Sequence, residues 1–105
     1  MNRGERTMLD DRTRLSIVTL LATSADAPLS FTEIQEKAEL TPGNLSSHLR
    51  NLEESGYVQV TKQFRGRRPL TTVRITDAGK TALERYIEEM EELIRRYRDG
   101  PSSWI

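Results

Sequence analysis

The sequence predicts an α+β fold that is mainly α-helical: a winged helix-turn-helix with a two- to three-stranded β-wing and a long C-terminal dimerisation helix. Three observations predict it. Two short amphipathic segments meet at a tight turn within residues 32–55, and two β-rich segments flank a basic tip within 57–75. A charged segment over 76–99 then carries apolar residues every three or four positions. This order of elements is typical of winged-helix domains.

The length and composition fit a single domain over residues 1–105. Within it we expect the helix-turn-helix and wing over 9–75, the C-terminal helix over 76–99 and a tail over 100–105. The absence of cysteine excludes disulfides, thiolate metal sites and cysteine nucleophiles. No apolar run is long enough to span a membrane, and no apolar segment follows the N-terminus as in a signal peptide, so we expect a cytoplasmic protein.

The first helix is predicted over residues 11–25. Its apolar side chains recur at helical spacing: Leu15, Ile17, Val18, Leu20, Leu21, Ala22 and Ala25. The polar side chains form only a narrow stripe, which consists of Arg12, Ser16, Thr19 and Thr23. We therefore expect most of this helix to be buried. Ala27 and Pro28 end it, and residues 29–31 predict one short strand.

A second, short helix is predicted from Thr32 to about Glu39. Thr32 and Gln35 have the spacing of a capping box, in which each side chain bonds to the other residue's backbone N–H. Ile34 and Ala38 are expected to point inward.

The third helix is predicted from Pro42 to about Ser55. Thr41 suits the N-cap and Pro42 the first helical position, where its missing N–H removes no hydrogen bond. The buried stripe is expected to consist of Leu45, Leu49 and Leu52. Gly56 follows at the position where a left-handed residue commonly ends a helix.

The opposite face of this third helix is polar and fits the major groove of DNA. Small or hydrogen-bonding side chains near a helix N-terminus can present donors and acceptors to base edges and phosphates. The candidate DNA-binding residues here are Thr41, Asn44, Ser46, Ser47, His48 and Arg50. The alternative is an ordinary solvated face. For His48 a phosphate contact and a structural hydrogen bond both stay open, and one histidine without cysteines predicts no metal site.

A basic hairpin is predicted from strands over 57–64 and 70–75, with a tip over 65–69. Its candidate DNA-binding residues are Lys62, Arg65, Arg67 and Arg68, which we expect to contact phosphates or the minor groove through residues 62–70. The alternative is a charged edge that discourages sheet aggregation. Charge is concentrated in this region: residues 41–75 hold six basic and two acidic residues, whereas 1–40 and 76–105 each hold five and seven.

The last helix is predicted from an N-cap at Thr76 to about Asp99, where Gly100 and Pro101 end it. Its apolar side chains form a seam: Leu83, Tyr86, Ile87, Met90, Leu93, Ile94 and Tyr97. A small domain covers only the first part of this seam, so we expect a homodimer interface formed by Tyr86, Ile87, Met90, Leu93, Ile94 and Tyr97. The alternative is a seam that packs entirely against the first helix of its own chain.

Together these segments resemble the short MarR/ArsR-like winged-helix transcriptional regulators. The resemblance is carried by GNLSSHLRNLEESGYV over residues 43–58, by RRPLTTV over 67–73 and by ITDAG over 75–79, and it extends from about Leu9 to Tyr97. It implies a dimeric repressor or activator that binds pseudo-palindromic operators in duplex DNA. The metal-sensing members have cysteine or histidine clusters, which this chain lacks.

Two other classes of function compete with DNA binding. A winged helix can serve as a protein-protein interaction module, which the zero net charge permits and the arginine-rich wing opposes. An enzyme is not predicted, because the chain has no catalytic Ser/His/Asp arrangement and no glycine-rich phosphate loop. We predict no cofactor and no membrane partner. A small-molecule effector stays open, with Tyr86, Met90 or Trp104 as a hypothetical lining.

Overall fold

A computed structural model describes residues 8–24 and 27–101. The order of elements is the predicted one: a helix, a short strand, two helices, a hairpin and a long helix. Their bounds are α1 Arg12–Ala22, β1 Leu29–Ser30, α2 Phe31–Ala38, α3 Pro42–Glu54, β2 Val58–Arg65, β3 Arg68–Ile75 and α4 Asp77–Asp99. The three strands form one antiparallel sheet in the order β1-β3-β2. The mainly helical α+β fold class is confirmed.

Helix α1 begins at an Asp11 N-cap, whose carboxylate accepts a hydrogen bond from the Arg14 backbone N–H at 3.0 Å. That bond is the main reason why the pKa of the Asp11 carboxyl is lowered. Burial of the carboxyl acts in the opposite direction, and the charges of Arg14 and His48 lower the pKa further. The helix is shorter than predicted and ends at Ala22. In the next residue, Thr23, the hydroxyl donates a hydrogen bond to the Thr19 carbonyl. The predicted inward residue Ala25 lies outside the described residues.

The predicted cap of α2 is wrong by two residues. Ser30, not Thr32, is the N-cap: its hydroxyl accepts from the Glu33 N–H at 3.1 Å, and the Glu33 carboxylate accepts from the Ser30 N–H at 3.2 Å. An ionised carboxylate is a stronger partner for a helix N-terminus than the Gln35 amide. Phe31 therefore starts the helix, and β1 keeps only two residues.

Helix α3 follows the prediction closely. The Thr41 hydroxyl accepts from the Asn44 N–H at 3.1 Å, and Pro42 occupies the first turn. Leu45, Leu49 and Leu52 are buried. Gly56 follows the helix with a φ of 80°, a left-handed conformation that favours glycine.

The hairpin is longer and its turn is tighter than predicted. Pairing runs from Val58 opposite Ile75 to Arg65 opposite Arg68, so only residues 66–67 form the turn. Gly66 has a φ of 66° at the first turn position, which is typical of type II′ hairpin turns. Because Arg65 and Arg68 close the turn as a hydrogen-bonded pair, Pro69 falls in the next, non-hydrogen-bonded pair, where its missing N–H removes no ladder bond.

One core joins all the helices to the sheet. It includes Ile17, Val18 and Leu21 of α1, Ile34 of α2, the three leucines of α3, Val58 and Val73 of the sheet, and Ala82 and Leu83 of α4. Gly79, in the first turn of α4, is buried against this core. A Cβ atom there would collide with the Tyr57 carbonyl oxygen and approach Ile75 Cγ1 to 2.9 Å.

We expect Gly79→Ala to lower the free energy of unfolding by about 2 kcal/mol, because the added methyl group forces backbone and core to move. Gly43→Ala is the matched control. Its Cβ meets nothing within 4 Å, and alanine favours a helix, so stability should be unchanged or slightly higher. Urea unfolding at equal protein concentration measures both, and equal stability of the two variants would contradict the close contact.

Candidate nucleic-acid interface

The solvent-facing side of α3 presents the predicted polar residues together. Asn44, Ser46, Ser47 and Arg50 are exposed, on the face opposite the buried leucines. Thr41 is also exposed, but its hydroxyl is engaged in capping the helix. The N-terminal turn of α3 therefore offers short polar side chains and helix N–H groups to an anionic partner.

His48 lies at the border between the exposed face and the core. It is half-buried, and its Nδ1 atom is buried without a hydrogen-bond partner among the residues that the structure describes.

The strand register divides the cations of the hairpin between two faces. Residues opposite one another in an antiparallel pair share a face. Lys62, opposite Thr71, lies on the same face as the core pair Val60 and Val73, which is the face toward α3. Arg65 and Arg68 oppose one another on the other face, which also carries Arg74 opposite Gln59.

The three arginines of the wing tip have solvent-exposed side chains. Arg67 lies in the turn itself, between the strand residues Arg65 and Arg68. None of their three guanidinium groups makes an ion pair or hydrogen bond with another residue in the described part of the chain. Because they are close along the chain and unneutralised, they form a concentrated positive charge at the protruding end of the hairpin.

A cleft of about 430 Å³ separates α3 from the wing. Its lining is Phe31, Ser46, Leu49, Arg50, Glu53, Val60, Lys62 and Thr71. Arg50 stands on the helix wall and Lys62 on the strand wall, so cations flank the cleft on both sides. Glu53 joins the walls, because its carboxylate accepts a hydrogen bond from the Val60 N–H at 3.3 Å. The sequence interpretation missed Phe31, Glu53 and Thr71, whose place in the cleft depends on packing between elements.

Phe64 is a fourth residue that the sequence interpretation missed. Its side chain is 74% exposed, two positions beyond Lys62 on β2 and opposite Pro69. The alternation of Val58, Val60, Lys62 and Phe64 along the strand carried the signal, since it places all four on one face. Phe64 and Pro69 thus form an apolar pair next to the basic tip.

Helix α4 buries only its first apolar residues. Ala82 and Leu83 are buried, and Tyr86 packs partly against the core. The remaining side chains are between 38% and 82% exposed and form what we call the α4 seam: Ile87, Met90, Leu93, Ile94 and Tyr97. Packing of the whole seam within one chain, the alternative considered from the sequence, is therefore wrong.

Residues 8–24 and 27–101 contain no group of three or more histidine or acidic side chains placed to hold a metal ion. No helix in these ranges is long and apolar enough to cross a membrane. Trp104, the hypothetical effector contact, lies outside this part of the chain.

Known protein families and sequences match most of this chain. A family model described as a winged helix DNA-binding domain matches residues 13–94. An uncharacterised protein of Methanocaldococcus jannaschii is 41% identical over 63 residues, which cover 60% of this chain and 68% of that protein. An uncharacterised HTH-type transcriptional regulator of Bacillus cereus is 32% identical over 79 residues, 75% of this chain and 51% of the relative. The chain thus spans about half the length of the Bacillus relatives that it matches.

Solved structures share the same architecture. A transcriptional regulator homologue from Pyrococcus horikoshii OT3 superposes with a TM-score of 0.76 at 38% identity, covering 85% of this chain and 86% of that chain. An ArsR family transcriptional regulator superposes with a TM-score of 0.62 at 26% identity, covering 89% and 94%. Both comparisons cover more than four fifths of each chain.

Proposed function

This chain belongs to the winged helix DNA-binding domain family of MarR/ArsR-like transcriptional regulators, and we propose that it binds specific duplex DNA sequences as a homodimer. The family assignment confirms the resemblance found in the sequence. Members of the family are regulators rather than enzymes. A cytoplasmic location, where such a regulator meets chromosomal DNA, is part of the proposal.

The observation that carries the proposal is the cleft between α3 and the wing. Arg50 and Lys62 flank it from opposite walls, and the polar face of α3 lies beside it. We propose that α3 enters the major groove while a phosphate strand runs along the cleft. Asn44, Ser46 and Ser47 would then meet base edges, with Thr41 and His48 near the backbone.

In this arrangement the wing reaches the neighbouring phosphates or minor groove. Arg67 at the turn and the flanking pair Arg65 and Arg68 extend beyond Lys62 along the hairpin. Phosphate contacts from such cations supply affinity that is independent of sequence, whereas α3 supplies discrimination between sequences.

The α4 seam supports the homodimer. Five apolar side chains on one helical face are exposed in a single chain, and burying them against a second copy removes this surface from water. A symmetric dimer would present two copies of α3 to two half-sites. Under this proposal residues 9–75 read DNA and 76–99 dimerise. The second candidate, a protein-interaction module, uses the same seam but does not use the cations of the wing.

We expect Arg67→Ala to reduce the salt dependence of DNA binding. The plot of log K against log salt concentration has a negative slope, and the loss of one phosphate contact should make that slope shallower by about one. Fluorescence anisotropy with a labelled random-sequence duplex over a salt series measures the slope.

Arg74→Ala is the control for this experiment. It removes the same charge from β3, but at the base of the sheet and on the face away from α3, so the slope should stay at the wild-type value. Equal slopes for wild type and Arg67→Ala would contradict the wing contact. A wild-type protein that fails to bind at low salt would instead favour the protein-interaction module.

We expect Ile94→Gln to weaken the dimer. The substitution removes a buried aliphatic group twice in a symmetric interface, which should raise the dimer dissociation constant at least about a hundredfold. Glu88→Gln, on the opposite face of α4, is the control and should leave the constant unchanged. Sedimentation equilibrium measures both, and an unchanged constant for Ile94→Gln would show that the seam is not the interface.

A further inference from the structure

The end of α3 and the beginning of α4 are joined by hydrogen bonds to one residue, Thr76. Its hydroxyl donates to the Gly56 carbonyl at 2.6 Å, and its backbone N–H donates to the Tyr57 carbonyl at 3.0 Å. The same hydroxyl accepts from the Gly79 N–H at 3.0 Å and so caps α4. One hydroxyl group therefore links Gly56, two residues beyond the end of α3, to the first turn of α4.

Both sides of this junction are held firmly. On the α3 side, the Gly56 N–H donates to the Glu53 carbonyl and the Tyr57 N–H to the Leu52 carbonyl, each at 2.9 Å. On the α4 side, Gly79 lies against the Tyr57 carbonyl so closely that no Cβ fits between them. Neither side can move without breaking its own hydrogen bonds or contacts. The junction therefore couples the orientation of α3 to that of α4.

Few other direct contacts fix the angle between these helices. Helix α4 packs mainly against α1, and its seam continues away from the core. Helix α3 packs on β2 and α1. The Thr76 junction thus supplies direct hydrogen bonds between the end of the helix proposed to read DNA and the start of the helix proposed to dimerise, beside the core that both helices share.

We infer that Thr76 is a positioning residue that sets the angle between α3 and α4, and thereby the separation of the two half-sites that a dimer can read. The consequence for half-sites rests on the proposed function, whereas the angle itself does not. In a dimer joined through the α4 seam, any rotation of α3 about this junction changes the distance between the two reading helices.

Two substitutions separate the link from the cap. Thr76→Ser keeps a hydroxyl that can both donate to Gly56 and accept from Gly79. Thr76→Asp keeps the N-cap acceptor and suits a helix N-terminus, but an ionised carboxylate cannot donate to the Gly56 carbonyl. The aspartate variant therefore retains α4 and the backbone bond to the Tyr57 carbonyl, and it loses the side-chain bond to the Gly56 carbonyl.

The angle is tested by a distance between spin labels on α3 and α4. The chain has no cysteine, so Ser47→Cys and Glu88→Cys give two unique sites, and dilution with unlabelled protein isolates distances within one chain. Double electron-electron resonance should show a narrow distribution for Thr76 and Thr76→Ser and a wider or shifted one for Thr76→Asp. Circular dichroism verifies that the aspartate variant keeps its helix content. An unchanged distribution in Thr76→Asp overturns the inference.

To test the consequence for half-sites, the wild-type protein first selects a duplex from a random pool. The spacing between the two half-sites of that duplex is then changed by single base pairs. Wild type and Thr76→Ser should prefer one spacing, and Thr76→Asp should bind that duplex about tenfold more weakly with a flatter spacing profile. The same sharp preference in Thr76→Asp overturns the half-site consequence. If selection enriches no duplex, the proposed function fails, while the distance measurement still decides the role of Thr76.

Discussion

The fold depends on the burial of one face of α3. Leu45, Leu49 and Leu52 are removed from water against α1 and the sheet, and a helix that buries one stripe must present its opposite stripe to solvent. The outward direction of Asn44 and Arg50 follows from that burial rather than from any interaction of their own. Burial of the leucines also fixes the wall against which the wing stands, and so the width of the cleft where the proposed function is located.

Much of the fold could be predicted because its signals are local. The Thr41 cap, the leucine spacing and the left-handed Gly56 each depend on residues close in the chain, and all three were predicted correctly. The cap of α2 was mistaken because Ser30 and Thr32 both offer a hydroxyl three residues before a partner, and only the carboxylate of Glu33 decides between them. The hairpin turn was placed too broadly, since Pro69 suggested a loop although it fits a non-hydrogen-bonded strand position.

The candidate site was predictable in its residue types but not in its arrangement. The cations of the wing are visible in the sequence, yet their division between two faces follows from a register that pairs Arg65 with Arg68. The cleft brings together Arg50, Glu53 and Lys62, and its lining requires four elements, α2, α3, β2 and β3, to be packed correctly. In α4 the apolar seam was evident from the spacing of its residues. The structure shows that the chain's own core covers this seam only as far as Tyr86.

The proposed function requires two copies of α3 to read two half-sites of one duplex. Hydroxyl-radical footprinting of a duplex selected from a random pool by the wild-type protein tests this requirement. We expect two protected patches on one face of the DNA, about one helical turn of 10 base pairs apart or a multiple of it. A single protected patch would contradict the dimeric mode of reading, and failure to enrich any duplex would contradict sequence-specific DNA binding itself.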